Sequence, residues 1–161
     1  MLLLLARYGL RACEVRGLRL EDIDWENDRL IIRRSKQRCM QQYPMDADTG
    51  RALLRYLRRA RPPSSYREVF LTLRAPFVPV CRNSLYHAVR SRLDASGIDA
   101  SKKGPHSLRH ACARRLLVRG FTLKQIGDFL GHRSADATRI YTKLDIANLR
   151  KVADISLRGL V

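Results

Sequence analysis

Apolar and polar positions divide this chain into short elements. Met1–Ala6 is an apolar run broken by Arg7 and closed by Gly9, which reads as the end of a buried helix. Leu10-Arg11-Ala12-Cys13-Glu14-Val15 begins a second short helix running through Leu18, with Val15 and Leu18 inward. Leu20 to Asp28 is acidic and turn-like. Arg29–Arg34 and Cys39–Met45 read as partner strands, joined by a turn at Ser35-Lys36-Gln37-Arg38. Helical spacing then returns. Asp48-Thr49 can cap a helix to about Arg61, with Leu53, Leu54 and Leu57 inward and Pro62-Pro63 as its stop. Between Ser64 and Val80 only Val69-Phe70-Leu71 stands out. Asn83 or Ser84 can cap the next helix, which carries Leu85, Val89 and Leu93 in register and ends at Gly97.

The last third is also helical. Pro105 suits a first helical turn, Leu108, Cys112 and Leu116 form an i, i+4, i+8 stripe, and Gly120 suits the position just past the end. Thr122 caps a helix to Leu130 with Ile126 and Leu130 inward; Gly131 ends it and His132 lies in the turn. Ser134 caps a further helix carrying Thr138, Tyr141 and Thr142, and an amphipathic segment runs from Leu144 to about Ile155. These elements predict one mainly α-helical domain with a small antiparallel β-sheet near its start, and 161 residues suffice for its core. The opening run lacks an N-cap and a preceding polar turn, which predicts that a segment upstream of Met1 is missing.

Charge changes the picture. Lys and Arg total 32 against 15 Asp and Glu, a formal net charge of +17. Arginine, the side chain shaped for bidentate phosphate contacts, supplies 26 of the basic residues. They run through the whole chain, the footprint of a nucleic-acid binder; a merely solubilising surface is the blander alternative. Cys13, Cys39, Cys81 and Cys112 form no Cys-x-x-Cys pair, and Cys13 and Cys112 occupy apolar helical positions, so a zinc site or disulfide framework is not expected and a reducing cytoplasm fits. No run approaches the ~18 apolar residues of a membrane span, and no small-residue cleavage site follows the N-terminal run.

Candidate chemistry gathers around Gly104-Pro105-His106-Ser107-Leu108-Arg109-His110. His106, Arg109 and His110 share a helix face, and His106 lies near a helix N-terminus, whose N–H groups favour an anion. A histidine, an arginine and an N-terminus pointing one way suggest a phosphate. His106-x-Leu-Arg109-His110, then Leu130-Gly131-His132, then Tyr141 nine residues later, resembles the active site of the tyrosine site-specific recombinases, the family of phage integrases and Xer recombinases. Gly9-Leu10-Arg11-x-x-Glu14 is similar to the motif carrying that family's first catalytic arginine. Arg11 and Glu14 are also close enough in helical spacing to form an ordinary ion pair.

The resemblance implies the tyrosine recombinase catalytic-domain fold over nearly the whole chain, 1–161, without the N-terminal DNA-binding domain that completes the family's clamp. It implies that Arg11 and Arg109 hold the non-bridging oxygens of a DNA phosphodiester and that His132 adds a third hydrogen bond. Tyr141 would attack phosphorus to give a 3′-phosphotyrosyl link and a free 5′-hydroxyl. His106 would accept the phenol proton. Lys36, the only lysine among the first hundred residues, would protonate the leaving oxygen from the hairpin turn, although the glycines usual in that turn are absent. A phenol pKa of about 10 leaves phenolate scarce by about a thousandfold at neutral pH, or about 4 kcal/mol, which a base and two arginines can offset. No carboxylate cluster suited to a metal is evident, and no cofactor is implied; guanidinium forks would do the electrostatic work. Double-stranded DNA is the implied partner, with self-association on it, as in the family's tetrameric synapse, or pairing with a related recombinase. Three other readings remain: a DNA-binding remnant unable to recombine, a type IB topoisomerase, and a zinc hydrolase built on His106 and His110, whose helix lacks the glutamate base.

Overall fold

The computed structural model describes residues 1–34, 39–97 and 104–131. These form two compact units, one of Ala12–Leu85 with Met1, the other of Leu2–Arg11 with the described residues from Tyr86 onward. Among the described residues no helix is long and apolar enough to cross a membrane.

In the first unit, α2 (Ala12–Arg16) is followed by a 3-10 turn at Leu20–Asp22 and then by strands β1 (Ile23–Asp24), β2 (Arg29–Arg34) and β3 (Cys39–Pro44). The strands form one antiparallel sheet in the order β1-β2-β3, with Leu30 opposite Tyr43 and Arg34 opposite Cys39. Leu30, Ile32 and Tyr43 are buried on one face, as a half-covered antiparallel sheet requires. The acidic stretch is a brace as well as a turn. Asp22 is buried, takes the backbone N–H of Arg19 at 2.9 Å, and pairs with Arg33 at 2.9 Å.

Helix α3 (Ala47–Arg59) starts two residues earlier than its sequence suggests. Asp46 is the N-cap, accepting from the Thr49 N–H at 3.0 Å; Asp48 sits inside the first turn and pairs with Arg51 instead. The inward stripe passes through Thr49 and Leu53, four residues apart, so Leu54 turns outward and is exposed, contrary to the expected inward trio. The stretch after Pro63 is tied down more than its sequence implied. Val69, Phe70 and Leu71 are buried, and the Tyr56 hydroxyl accepts the Leu71 N–H at 3.1 Å.

Helix α4 (Arg82–Ala95) buries Leu85, Val89 and Leu93, as their spacing predicts. Its cap is Cys81 rather than Asn83 or Ser84. The Cys81 sulfur accepts the Ser84 N–H at 3.4 Å and meets the Ser84 hydroxyl at 3.1 Å, and these bonds hold the thiol below its usual pKa. Cys13 also departs from expectation: it is exposed on α2, because the buried side of that short helix is given to Glu14 and Val15.

In the second unit, α1 (Leu2–Arg7) and α6 (Leu123–Leu130) both pack on α5 (Pro105–Val118). Cys112, Ala113, Ile126 and Leu130 form the buried cluster between α5 and α6. Both ends of α6 follow the sequence signals. Thr122 caps it by accepting from the Gln125 N–H at 3.3 Å, and Gly131 closes it in the left-handed region with φ 65°. The Asp46 and Asp48 assignments are separable by urea denaturation: Asp46→Ala should cost about 1 kcal/mol and Asp48→Ala less than about 0.5 kcal/mol.

Candidate active site

The site is built at one end of α5. Gly104 is the N-cap; its N–H meets the Ser107 hydroxyl at 3.1 Å, and that hydroxyl donates to the Gly104 carbonyl at 2.6 Å. A Cβ added to Gly104 would lie 2.6 Å from the Tyr86 ring, so the close approach of that ring requires glycine here. Pro105 gives up no hydrogen bond at the first helical position. His106 follows in the first turn and is exposed, with its ring centroid 6.3 Å from that of His110.

Arg109, one turn further on, is buried. Its guanidinium donates to the Gly9 carbonyl at 2.5 Å and to the Leu130 carbonyl at 2.8 Å. Arg11 donates to the next carbonyl of the same turn, Gly131, at 2.6 Å. Two arginines 98 positions apart (109 − 11) thus hold adjacent carbonyls at the C-terminal end of α6. That end of a helix carries unsatisfied carbonyls and partial negative charge, so it attracts guanidinium groups. Each charge-assisted bond is worth about 1.5–3 kcal/mol, enough to fix the orientation of a buried guanidinium.

The chain leaving α1 is fastened to the same helix. Arg115 donates to the carbonyls of Ala6 at 3.2 Å and Arg7 at 3.1 Å, and the Cys112 thiol donates to the Arg7 carbonyl at 3.2 Å. Burial pushes the Cys112 thiol pKa up, so the group stays a donor. Gly9 makes this junction possible. Its φ is +60°, and a Cβ there would come 2.4 Å from Leu130 Cδ2 and 3.2 Å from the Cys112 sulfur.

Of the six residues singled out from the sequence, the structure describes Arg11, His106 and Arg109. It brings the two arginines to one turn and sets His106 one helical turn before Arg109. Lys36, His132 and Tyr141 lie outside the described residues, as do the turn at 35–38 and the helices expected after Ser134. Glu14, which sequence spacing points at Arg11, forms an ion pair with Arg34 at 2.7 Å between two enclosed side chains. Arg34 was missed as an organising residue. Its signal was available: it lies two and four residues beyond Ile32 and Leu30, on the core face of β2.

Comparison with known proteins points to one family. The model of the phage integrase family matches residues 1–147. A putative integrase/recombinase of Sinorhizobium fredii, y4gC, is 43% identical over 154 residues, which are 95% of this chain and 79% of that protein. The crystal structure of XerA recombinase superposes with a TM-score of 0.76 at 29% identity, covering 92% of this chain and 54% of the other. The XerH site-specific recombinase, solved on its difH substrate before cleavage, gives 0.74 at 25% identity, covering 96% of this chain and 44% of the other. The chain thus spans about half the length of the solved recombinases it matches.

Gly9→Ala should destabilise the chain by about 2 kcal/mol or more, since it adds both backbone strain and a clash with Leu130. A shift in the urea midpoint without a change of slope checks it; an unchanged midpoint would show that the junction yields easily.

Proposed function

The chain belongs to the phage integrase family, and from that footing we propose that it breaks and rejoins DNA by transesterification through a covalent 3′-phosphotyrosine. The observation that carries this reading is the convergence of Arg11 and Arg109 on the carbonyls of Leu130 and Gly131. Two guanidinium groups held at one turn form a clamp suited to the two non-bridging oxygens of a phosphodiester. His132 is the next residue in the sequence after that turn, which supports its role as a third donor to the phosphate.

In this mechanism Tyr141 attacks phosphorus as His106 accepts the phenol proton, and the P–O5′ bond breaks as Lys36 protonates the leaving oxygen. The phosphotyrosine conserves the energy of the broken bond, so the 5′-hydroxyl of another strand reverses the step without ATP. Arginines supply the charge that metal ions supply in many nucleases. Duplex DNA is the proposed substrate, bound in a salt-dependent way by a chain of formal charge +17. Recombination needs two duplexes, so the proposed working form is an assembly of several copies, or of this chain with a related recombinase.

A nicked suicide duplex, from which the cleaved strand end diffuses away, traps the intermediate. Wild type should give a protein–DNA adduct on a denaturing gel, and Tyr141→Phe none. Arg109→Lys keeps the charge but not the fork, and should lower the rate of adduct formation by about a hundredfold or more. DNA binding without any adduct would identify a remnant that binds and does not cut. Relaxation of supercoils without paired sites would identify a topoisomerase.

A further inference from the structure

The turn between β1 and β2 is acidic in a strongly basic chain. Glu21, Asp22, Asp24, Glu26 and Asp28 are five of the fifteen acidic residues. Asp22 is buried against Arg33, but Glu26 and Asp28 are exposed. Between Asp24 and Glu26 stands Trp25, the only tryptophan of the chain, and it too is exposed. The tip is pinned. The Asp24 carboxylate accepts the Asn27 N–H at 3.0 Å and the Asn27 side-chain amide at 2.9 Å. The Asp28 carbonyl accepts the Met45 N–H at 2.6 Å, which fastens the turn beside Asp46, the cap of α3. A pinned tip loses little conformational freedom on docking.

Helix α3 presents the opposite charge in the same unit. Thr49 and Leu53 face inward, while Arg51, Leu54, Arg55, Arg58 and Arg59 are exposed and recur at helical spacing, so Leu54 lies in a stripe of guanidinium groups. Arg58 and Arg59 complement the C-terminal dipole, and Arg51 pairs with Asp48. Neither role accounts for Arg55 or the outward leucine. Among the described residues no ion pair holds Arg55, Arg58, Glu26 or Asp28. We propose that the acidic tip of one copy docks on the α3 stripe of a second copy, with Trp25 against Leu54 and its arginines, and with Glu26 and Asp28 facing Arg55 and Arg58. This gives the assembly proposed above one of its surfaces and rests on that part of the reading. Copies of formal charge +17 repel one another, so close contact requires a patch of the other sign, and this turn supplies it. Its carboxylates disfavour DNA phosphates and favour guanidinium groups. Tryptophan offers the best ring face for a guanidinium and anchors interfaces out of proportion to its area. Each copy carries both halves of the contact, as self-assembly requires.

The lone tryptophan reports the contact, because indole emission moves to the blue when the ring leaves water. Emission and sedimentation velocity are followed over a concentration series of the full chain, alone and on a duplex of random sequence. Wild type should associate with a blue shift. Trp25→Ala, followed by sedimentation, should weaken association by about tenfold or more. Glu26→Arg with Asp28→Arg reverses the tip, and Arg55→Glu with Arg58→Glu reverses the stripe. Each double variant alone should stay monomeric, and an equimolar mixture of the two should associate again, since each copy then meets a patch of opposite sign. All these side chains are exposed, and recovery in the mixture shows that both variants fold. Association untouched by the swaps and by Trp25→Ala, or absent from the mixture, overturns the proposal and leaves the assembly reading intact. A stripe variant that loses duplex binding but still associates assigns the stripe to DNA and overturns it too. A wild type that is monomeric with and without duplex overturns the assembly reading and this proposal together; cleavage is read separately, from the adduct on the nicked duplex.

Discussion

A buried guanidinium must find acceptors for its donors, and among the described residues Arg109 finds backbone carbonyls on two separate chain segments. One is Gly9, just past α1; the other is Leu130, at the end of α6. To satisfy a single side chain, both segments must arrive at α5 with their carbonyls aimed inward. The left-handed turns at Gly9 and Gly131 let the chain do this. Arg11, carried two residues after Gly9, then meets the Gly131 carbonyl. A demand for hydrogen-bond satisfaction in the core thereby becomes the placement of two arginines at one turn.

The same device recurs with different partners. Arg115 holds the last carbonyls of α1, and Arg16 donates to the Val80 carbonyl at 2.8 Å. Arg61 holds three carbonyls of the long connection, those of Tyr66, Glu68 and Val69. Arg34 binds a carboxylate, an amide and a phenol in the sheet. The large basic excess thus has two uses. Part of it gives the surface a field that attracts a polyanion. Another part stays inside, where the forked donor joins segments that short loops and apolar packing alone would leave loosely related. Net charge by itself does not separate these uses, because both draw on the same residue type.

Much of the fold was legible in local pattern. The stripe Leu85, Val89, Leu93, the Pro105 start, the Thr122 cap and the Gly131 stop are each written within one or two helical turns, and the structure keeps them. The departures share a cause. Cys81 rather than Asn83 or Ser84 caps α4, and Asp46 rather than Asp48 caps α3, because several suitable donors and acceptors lie within three residues and only the helix's exact start selects among them. Leu54 faces outward, because the direction of the inward stripe depends on what α3 packs against.

The sequence by itself determined the family and the order of its motif residues along the chain, since motif spacing and helix periodicity are local properties. Only the tertiary structure decided that Arg11 and Arg109 meet adjacent carbonyls of one turn, that Gly9 must leave room for Leu130 and Cys112, and that Glu14 pairs with Arg34. Those contacts join residues that are 20 to 121 positions apart. Spacing along the chain carries no information on such distances; burial and the need to satisfy each enclosed polar group fix them.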